Sequence, residues 1–274
     1  MVIIPELAGW LEEADERIVP HATWAVDHGC QRLVVLSNDT DTVTRLLRFI
    51  HMLIRDGLKE LWVEFGTGEK RRLLPLHRMA ERMGEPLCHV TGKAHLLTGD
   101  DVTSNIGTKL AAMKCNPTGY LTEFAERAEL PETEFAQVEE YHVQVWAGAR
   151  SKASAKTFDQ LRLEVHTNAS APTPMTKMPP TSSVVRGHIS RAFFVIRGVI
   201  ASEGSRLDCS QYGWESDGGA LKPLKCLNPL PTNMLSTLKC SGRCEPMRYP
   251  CITSSVMCVI HCHRSQGVNC QNRS

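Results

Sequence analysis

The chain has 274 residues, 42% of them apolar and 22% charged, with a formal net charge of +1. That balance allows a folded apolar core, and it removes bulk charge as a reason to expect nucleic acid, so any such partner would need a local basic patch. No apolar run approaches the roughly 18–20 residues that span a bilayer, and the opening "MVIIPELAGW" lacks the length and basic leader of a signal peptide. A nuclear or otherwise intracellular location without membrane contact is therefore expected, and the eleven cysteines are expected as thiols or metal ligands rather than disulfides.

Residues 7–28 carry Leu11, Ala14, Ile18, Ala22 and Ala25 at helical spacing, with Pro20 inside as a kink point and Gly29 as a stop. "RLVVLS" (32–37) is a continuous apolar run of the kind found in parallel strands covered on both faces. Residues 42–56 predict a second helix ended by Gly57, "ELWVEF" (60–65) a second strand parallel to the first, and "GTGEKRR" (66–72) a hairpin-like turn. "LLPLH" (73–77) is a short extended piece, followed by a helix to about Gly84. The glycines of "GTGEK" do not fit the spacing of a phosphate loop. Cys30, Cys88 and Cys115 sit among apolar residues and are expected as buried free thiols.

From about Ala147 the chain becomes rich in Ser, Thr, Pro and Ala, as in "SKASAKTFD" and "TNASAPTPMTKMPPTSS". Residues 146–235 are expected as linker and irregular extension, with one lone helix over "VVRGHISRAFFVIRGVI" (184–200).

Asp39 and Asp41 follow the first strand with one residue between them. Two such carboxylates repel unless a positive group lies between them or water separates them. The stretch "LSNDTD" is therefore either a turn with a helix cap or a divalent-cation site at the C-terminal edge of a parallel strand. Further acids stand in "EEAD" (12–15) and in "LLTGDD" (96–101), and "NIGTKLA" (105–111) follows the latter.

In order and spacing these pieces resemble the internal region of the flap-endonuclease branch of the PIN-like nucleases, over residues 10–125. The likeness is closer still to mobile-element-associated proteins with a motif like "HLLTGDDVTS", led here by His95. The resemblance implies an α/β fold over 1–145: a partial three-layer PIN-like domain with a mostly parallel sheet and helices on both faces. It also implies a Mg or Mn site. The implied catalytic carboxylates are Glu13, Asp15, Asp39, Asp41 and Asp101, which would hold two ions about 4 Å apart for phosphodiester cleavage. Glu12 competes with Glu13, because Glu12 and Asp15 share a helix face at i, i+3. Asp100 is secondary. Gly107, Thr108 and Lys109 are implied as a nucleic-acid-binding turn whose backbone amides receive a phosphate; an ordinary helix connection with a glycine cap weighs equally. The family's opening strand and its first acids have no counterpart ahead of Glu12, so a partial domain with weak or no activity is expected.

The tail, residues 236–274, holds Cys240, Cys244, Cys251, Cys258, Cys262 and Cys270, with His261 and His263. These are zinc ligand types, although no C-x2-C pair occurs. The tail resembles the CXC (tesmin-like) zinc-binding, DNA-contacting tails of the same proteins, with Arg264 where a cysteine would complete a pair. Two functions remain: a divalent-metal-dependent, structure-specific DNA nuclease, or a decayed, non-catalytic module that binds nucleic acid or protein.

Overall fold

The computed structural model describes residues 7, 14–100, 103–148, 155–168, 177–200, 207–217 and 220–224. Glu12, Glu13, Asp101 and the six tail cysteines lie outside the described residues, as does the side chain of Asp15. In chain order the elements are α1 (Ala14–Asp27), β1 (Arg32–Leu36), α2 (Thr40–Arg55), β2 (Glu60–Phe65), β3 (Arg72–Pro75), α3 (Leu76–Met83), α4 (Glu85–Leu97), α5 (Lys109–Lys114), α6 (Pro117–Leu121), α7 (Glu132–Ala147), α8 (Phe158–Asn168), α9 (Ser182–Ile200), β4 (Trp214–Asp217) and β5 (Ala220–Pro223). The fold is mixed α/β. No helix among the described residues is long and apolar enough to cross a membrane.

The first core forms because α2 carries Leu46, Leu47, Ile50 and Leu53 on one stripe, all buried, facing α1, the sheet and α3. Burying each such side chain stabilises the fold by about 1.5–3 kcal/mol. β1 and β2 run parallel, with Leu33 opposite Leu61 and Val35 opposite Val63. β3 returns antiparallel to β2, so this three-stranded sheet is mixed rather than mostly parallel. The turn between β2 and β3 is short, and a short connection can only reverse the chain; a parallel return needs a crossover.

Side chains alternate across the pleat. Leu33, Val35, Val63 and Leu74 face the helices. Val34, Leu36 and Leu73 face the other way and are 55%, 72% and 54% exposed. The expectation of helices on both faces is therefore corrected for the described residues: β1 is an edge strand with an open apolar face. Its unbroken apolar run suggested double burial, but an apolar side chain does not by itself bring a covering layer.

α4 lies against α2, and a Cβ on Gly92 would stand 3.3 Å from the Thr44 carbonyl, so this position holds the two helices close. Beyond α4 a second core joins α5, α6, α7, α8 and α9. Phe158, Leu161, Val185, Ile189, Phe193 and Ile196 are all buried there. For the described residues, the reading of 146–235 as linker with one lone helix is corrected in part: the helix is present as α9, but with α8 it completes this core, and β4 and β5 form a hairpin beyond it. The Ser- and Pro-rich flanks diluted an apolar pattern that burial makes plain. Cys88 is buried as expected, Cys115 is half-buried, and Cys30 is exposed.

Replacing Ile50 by Ala should cost about 2–5 kcal/mol in urea unfolding, because it opens a cavity in the first core. Leu36→Ser on the open sheet face should change stability by no more than about 0.5 kcal/mol. A large loss for Leu36→Ser would show that this face is covered.

Candidate functional site

At the end of β1 the chain turns directly into α2. Ser37 Oγ bonds Thr42 Oγ1 at 2.8 Å and accepts the Asp39 amide at 3.1 Å, while Asn38 Oδ1 accepts the Gly66 amide at 2.9 Å. Asp39 is the N-cap of α2, its carboxylate accepting the Asp41 amide at 2.8 Å. A cap of this kind satisfies one of the bare amides that begin a helix. Asp41 stands in the first turn, where a negative charge suits the helix dipole, and it leans away towards α4. The two acids thus leave the turn with separate partners.

Asp41 Oδ1 accepts a hydrogen bond from His95 Nε2 at 2.6 Å, and both side chains are only 14% exposed. His95 is in the last turn of α4. That bond holds the Asp41 carboxyl below the usual range; burial opposes the shift, and the charges of His95, Arg45 and Lys109 assist it. Lys109 is exposed, yet its ammonium folds back onto the chain. Its ammonium donates to the His95 carbonyl at 2.6 Å and to the Gly99 carbonyl, closing the C-terminal end of α4. Burial pushes the Lys109 amine down, while Asp41 and Asp100 hold it up. Asp100 Oδ1 accepts the Thr103 amide at 3.0 Å and so shapes the turn after α4.

The neighbouring turn has structural duties of its own. Thr108 caps α5 by accepting the Ala111 amide at 3.1 Å. Gly107 has φ +82, and a Cβ there would lie 2.6 Å from Val145 Cγ1 on α7. Close packing by α7 therefore explains this glycine without a ligand.

Of the residues singled out in the sequence, the structure brings Asp41, Asp100 and Lys109 to one end of α4, and it adds His95. Asp39 stays at its cap. Glu12, Glu13 and Asp101 lie outside the described residues, and nothing is described of the Asp15 side chain. Among the described residues no group of three or more His, Cys, Asp and Glu side chains could hold a metal ion. Nor do the donors present fit a pair of hard divalent cations, which take several free carboxylate oxygens. Asp41 is occupied by an imidazole, and the charges of Asp41 and Asp100 both act on the Lys109 ammonium. Two further residues escaped sequence reasoning: Arg45 and Arg48 line the cleft beside Asp41 and His95. Their i, i+3 spacing on α2 was the available signal.

No family model, curated protein or solved structure matches the chain.

Asp41→Asn should lower stability at neutral pH by about 1–3 kcal/mol, because it weakens a charge-assisted bond in a mostly buried setting. Its sign with pH follows from linkage. A carboxyl whose folded pKa lies below its unfolded value stabilises the fold above the unfolded value, and that gain is lost as pH falls through the folded one. The difference between wild type and Asp41→Asn should therefore shrink as pH drops below the ordinary aspartate value of 3.8. Urea titrations over that range check it, and a difference independent of pH would remove the Asp41–His95 bond as its cause.

Proposed function

We propose that this chain is a non-catalytic, nucleic-acid-binding module built on a partial PIN-like domain. The observation that carries the reading is the commitment of Asp41 to His95, with Lys109 turned in beside it. In a two-ion nuclease the carboxylates must be free to take metal, and the cations must come from solution. Here the protein's own imidazole and ammonium occupy that role. What supports the PIN-like part is the order of pieces: a parallel β1–β2 pair, the D-x-D at the mouth of β1, and the acid-bearing turn leading into α5. What supports binding is a basic wall of Arg45 and Arg48 facing the same cleft, which could meet a phosphate backbone in the nucleus or elsewhere in the cell.

The second reading, a Mg- or Mn-dependent structure-specific nuclease, draws on the gathering of Asp41 and Asp100 at one end of α4. It would need Asp101 and one of Glu12, Glu13 or Asp15 to complete its ligands. Zinc in the cysteine-rich tail belongs to either reading as a proposal.

Purified full-length protein incubated with flap and hairpin DNA in Mg or Mn should retard the DNA and leave it intact. The affinity should fall with salt, since each phosphate contact contributes a slope of about −0.9 on a log–log plot for duplex DNA. Metal-dependent cleavage lost in Asp41→Asn would establish the nuclease reading instead. Absence of retardation at low salt would remove the nucleic-acid reading.

A further inference from the structure

His188 lies on α9 where that helix packs against α4 and α7, and it is 1% exposed. Its Nε2 donates to the Leu97 carbonyl at 2.9 Å, so in the neutral ring Nδ1 carries no proton. That Nδ1 is buried and has no hydrogen-bond partner. His142 of α7 reaches the same carbonyl through Nε2 at 2.8 Å, and the two rings meet edge to face with centroids 5.4 Å apart. The two histidines differ in what an added proton would do. Both nitrogens of His142 lie against carbonyls, those of Leu97 and, at 3.0 Å, Val138, so a second N–H there has an acceptor. A second N–H on His188 has none. A buried donor without an acceptor is costly, and a buried charge without a partner is more so.

The surroundings give such a charge no relief. Burial pushes the His188 imidazole down to about 3; the charges of His142 and of Arg191, one turn on along α9, add to the shift, and the bond to Leu97 opposes it. Among the described residues no carboxylate acts on either ring. On α7, Glu139 is buried one turn before His142 but accepts the Phe158 amide at 3.0 Å, and Tyr141 donates to the Ala112 carbonyl. On α4, Lys93 is turned to Glu126 and His95 to Asp41. On α8, Asp159 accepts the Ser182 amide and Arg162 donates to the Pro179 carbonyl. Beyond α9, Asp208 accepts the Ser210 amide, and Trp214 lies under Arg191. The closed packing therefore holds His188 only as a neutral ring, whereas water accepts the extra N–H once the ring is exposed.

We propose that His188 is an acid-released latch, which holds α9 against the end of α4 while neutral and lets α9 go when it takes a proton from solution. Val195 and Ile196, further along α9, line the opening beside Asp41 and His95, so release of the helix reaches that opening. The latch does not depend on what the opening binds. Its sign follows from linkage. A histidine held below its ordinary value of 6.5 stabilises the closed form fully above that value, and the gain is lost as pH falls towards the folded one. Each proton taken up only on opening makes opening about tenfold easier per pH unit. The window lies between 6.5 and the ordinary glutamate value of 4.5, below which the carboxylates add protons of their own.

The test is native-state hydrogen exchange of the full-length chain across that window, read by mass spectrometry and corrected for the intrinsic exchange rate. Peptides from α9 should lose protection by about tenfold per pH unit as pH falls, and they should open ahead of peptides from α2 in the first core. His188→Gln keeps a donor for the Leu97 carbonyl and removes the titration. Its α9 peptides should therefore lose about tenfold less protection per pH unit than those of the wild type. If that variant does not fold, the comparison of α9 with α2 in the wild type still decides. Protection of α9 that is constant across the window would overturn the proposal. So would loss of protection in α9 and α2 in step, or a wild-type pH slope in folded His188→Gln.

Discussion

The carbonyl of Leu97 closes α4, and two histidines from different helices reach it: His142 of α7 at 2.8 Å and His188 of α9 at 2.9 Å, both through Nε2. All three residues are buried. A bare carbonyl at a buried helix end is costly, and this one is met twice. The same contact fixes the second core, because α7 and α9 cannot shift without exposing the end of α4. Burial pushes both imidazoles down, His188 to about 3, with the charge of His142 adding to the shift. Both are therefore neutral near pH 7. A neutral imidazole has one N–H, so His142 donates either to Leu97 or to the Val138 carbonyl 3.0 Å from its Nδ1. His188 spends its N–H on Leu97, and its Nδ1 is left without a partner.

With its end pinned, α4 presents three polar side chains in fixed directions. Lys93 turns to Glu126, His89 joins it there, and His95 turns to Asp41. Lys109 then finds its acceptors among carbonyls at the end of the same helix. Asp41 consequently meets the imidazole of His95 before it can meet an ion from solution, while Asp39 is taken up by its cap. Arg45 and Arg48 line the same cleft as Asp41 and His95. An acid met by an imidazole and two arginines thus share one opening beside α4.

Much of the first core was legible in the sequence. The stripe of α2, the parallel β1–β2 pair and the reversal after β2 follow from apolar spacing and turn residues, and the proline-bearing α1 appears over 14–27. α4 was not legible. Pro86 and Gly92 interrupt its pattern, yet proline is tolerated in a first turn and Gly92 serves the close approach of α2. α8 was hidden by its flanks, whereas the helix read over 184–200 is present as α9, and only the core that it joins went unread. In the site, Asp39 and Asp41 stood out as a pair, and the turn-and-cap alternative foresaw the duty of Asp39. The partner of Asp41 lies 54 residues away on a helix that spacing did not reveal. Sequence reasoning sees residue types at short range. It does not see which distant side chain will fold back onto an acid.

The most direct measurement is a double-mutant cycle on Asp41 and His95, using Asp41→Asn, His95→Gln and the double variant in urea unfolding at neutral pH. A pair in contact within one network couples, whereas independent sites add. The structure predicts a coupling of about 1–2 kcal/mol, within the range seen for residues that share a charged hydrogen bond. Additivity to within about 0.3 kcal/mol would mean that Asp41 is not held by His95. The carboxylate would then be free for a metal ion, and the non-catalytic reading would lose its foundation.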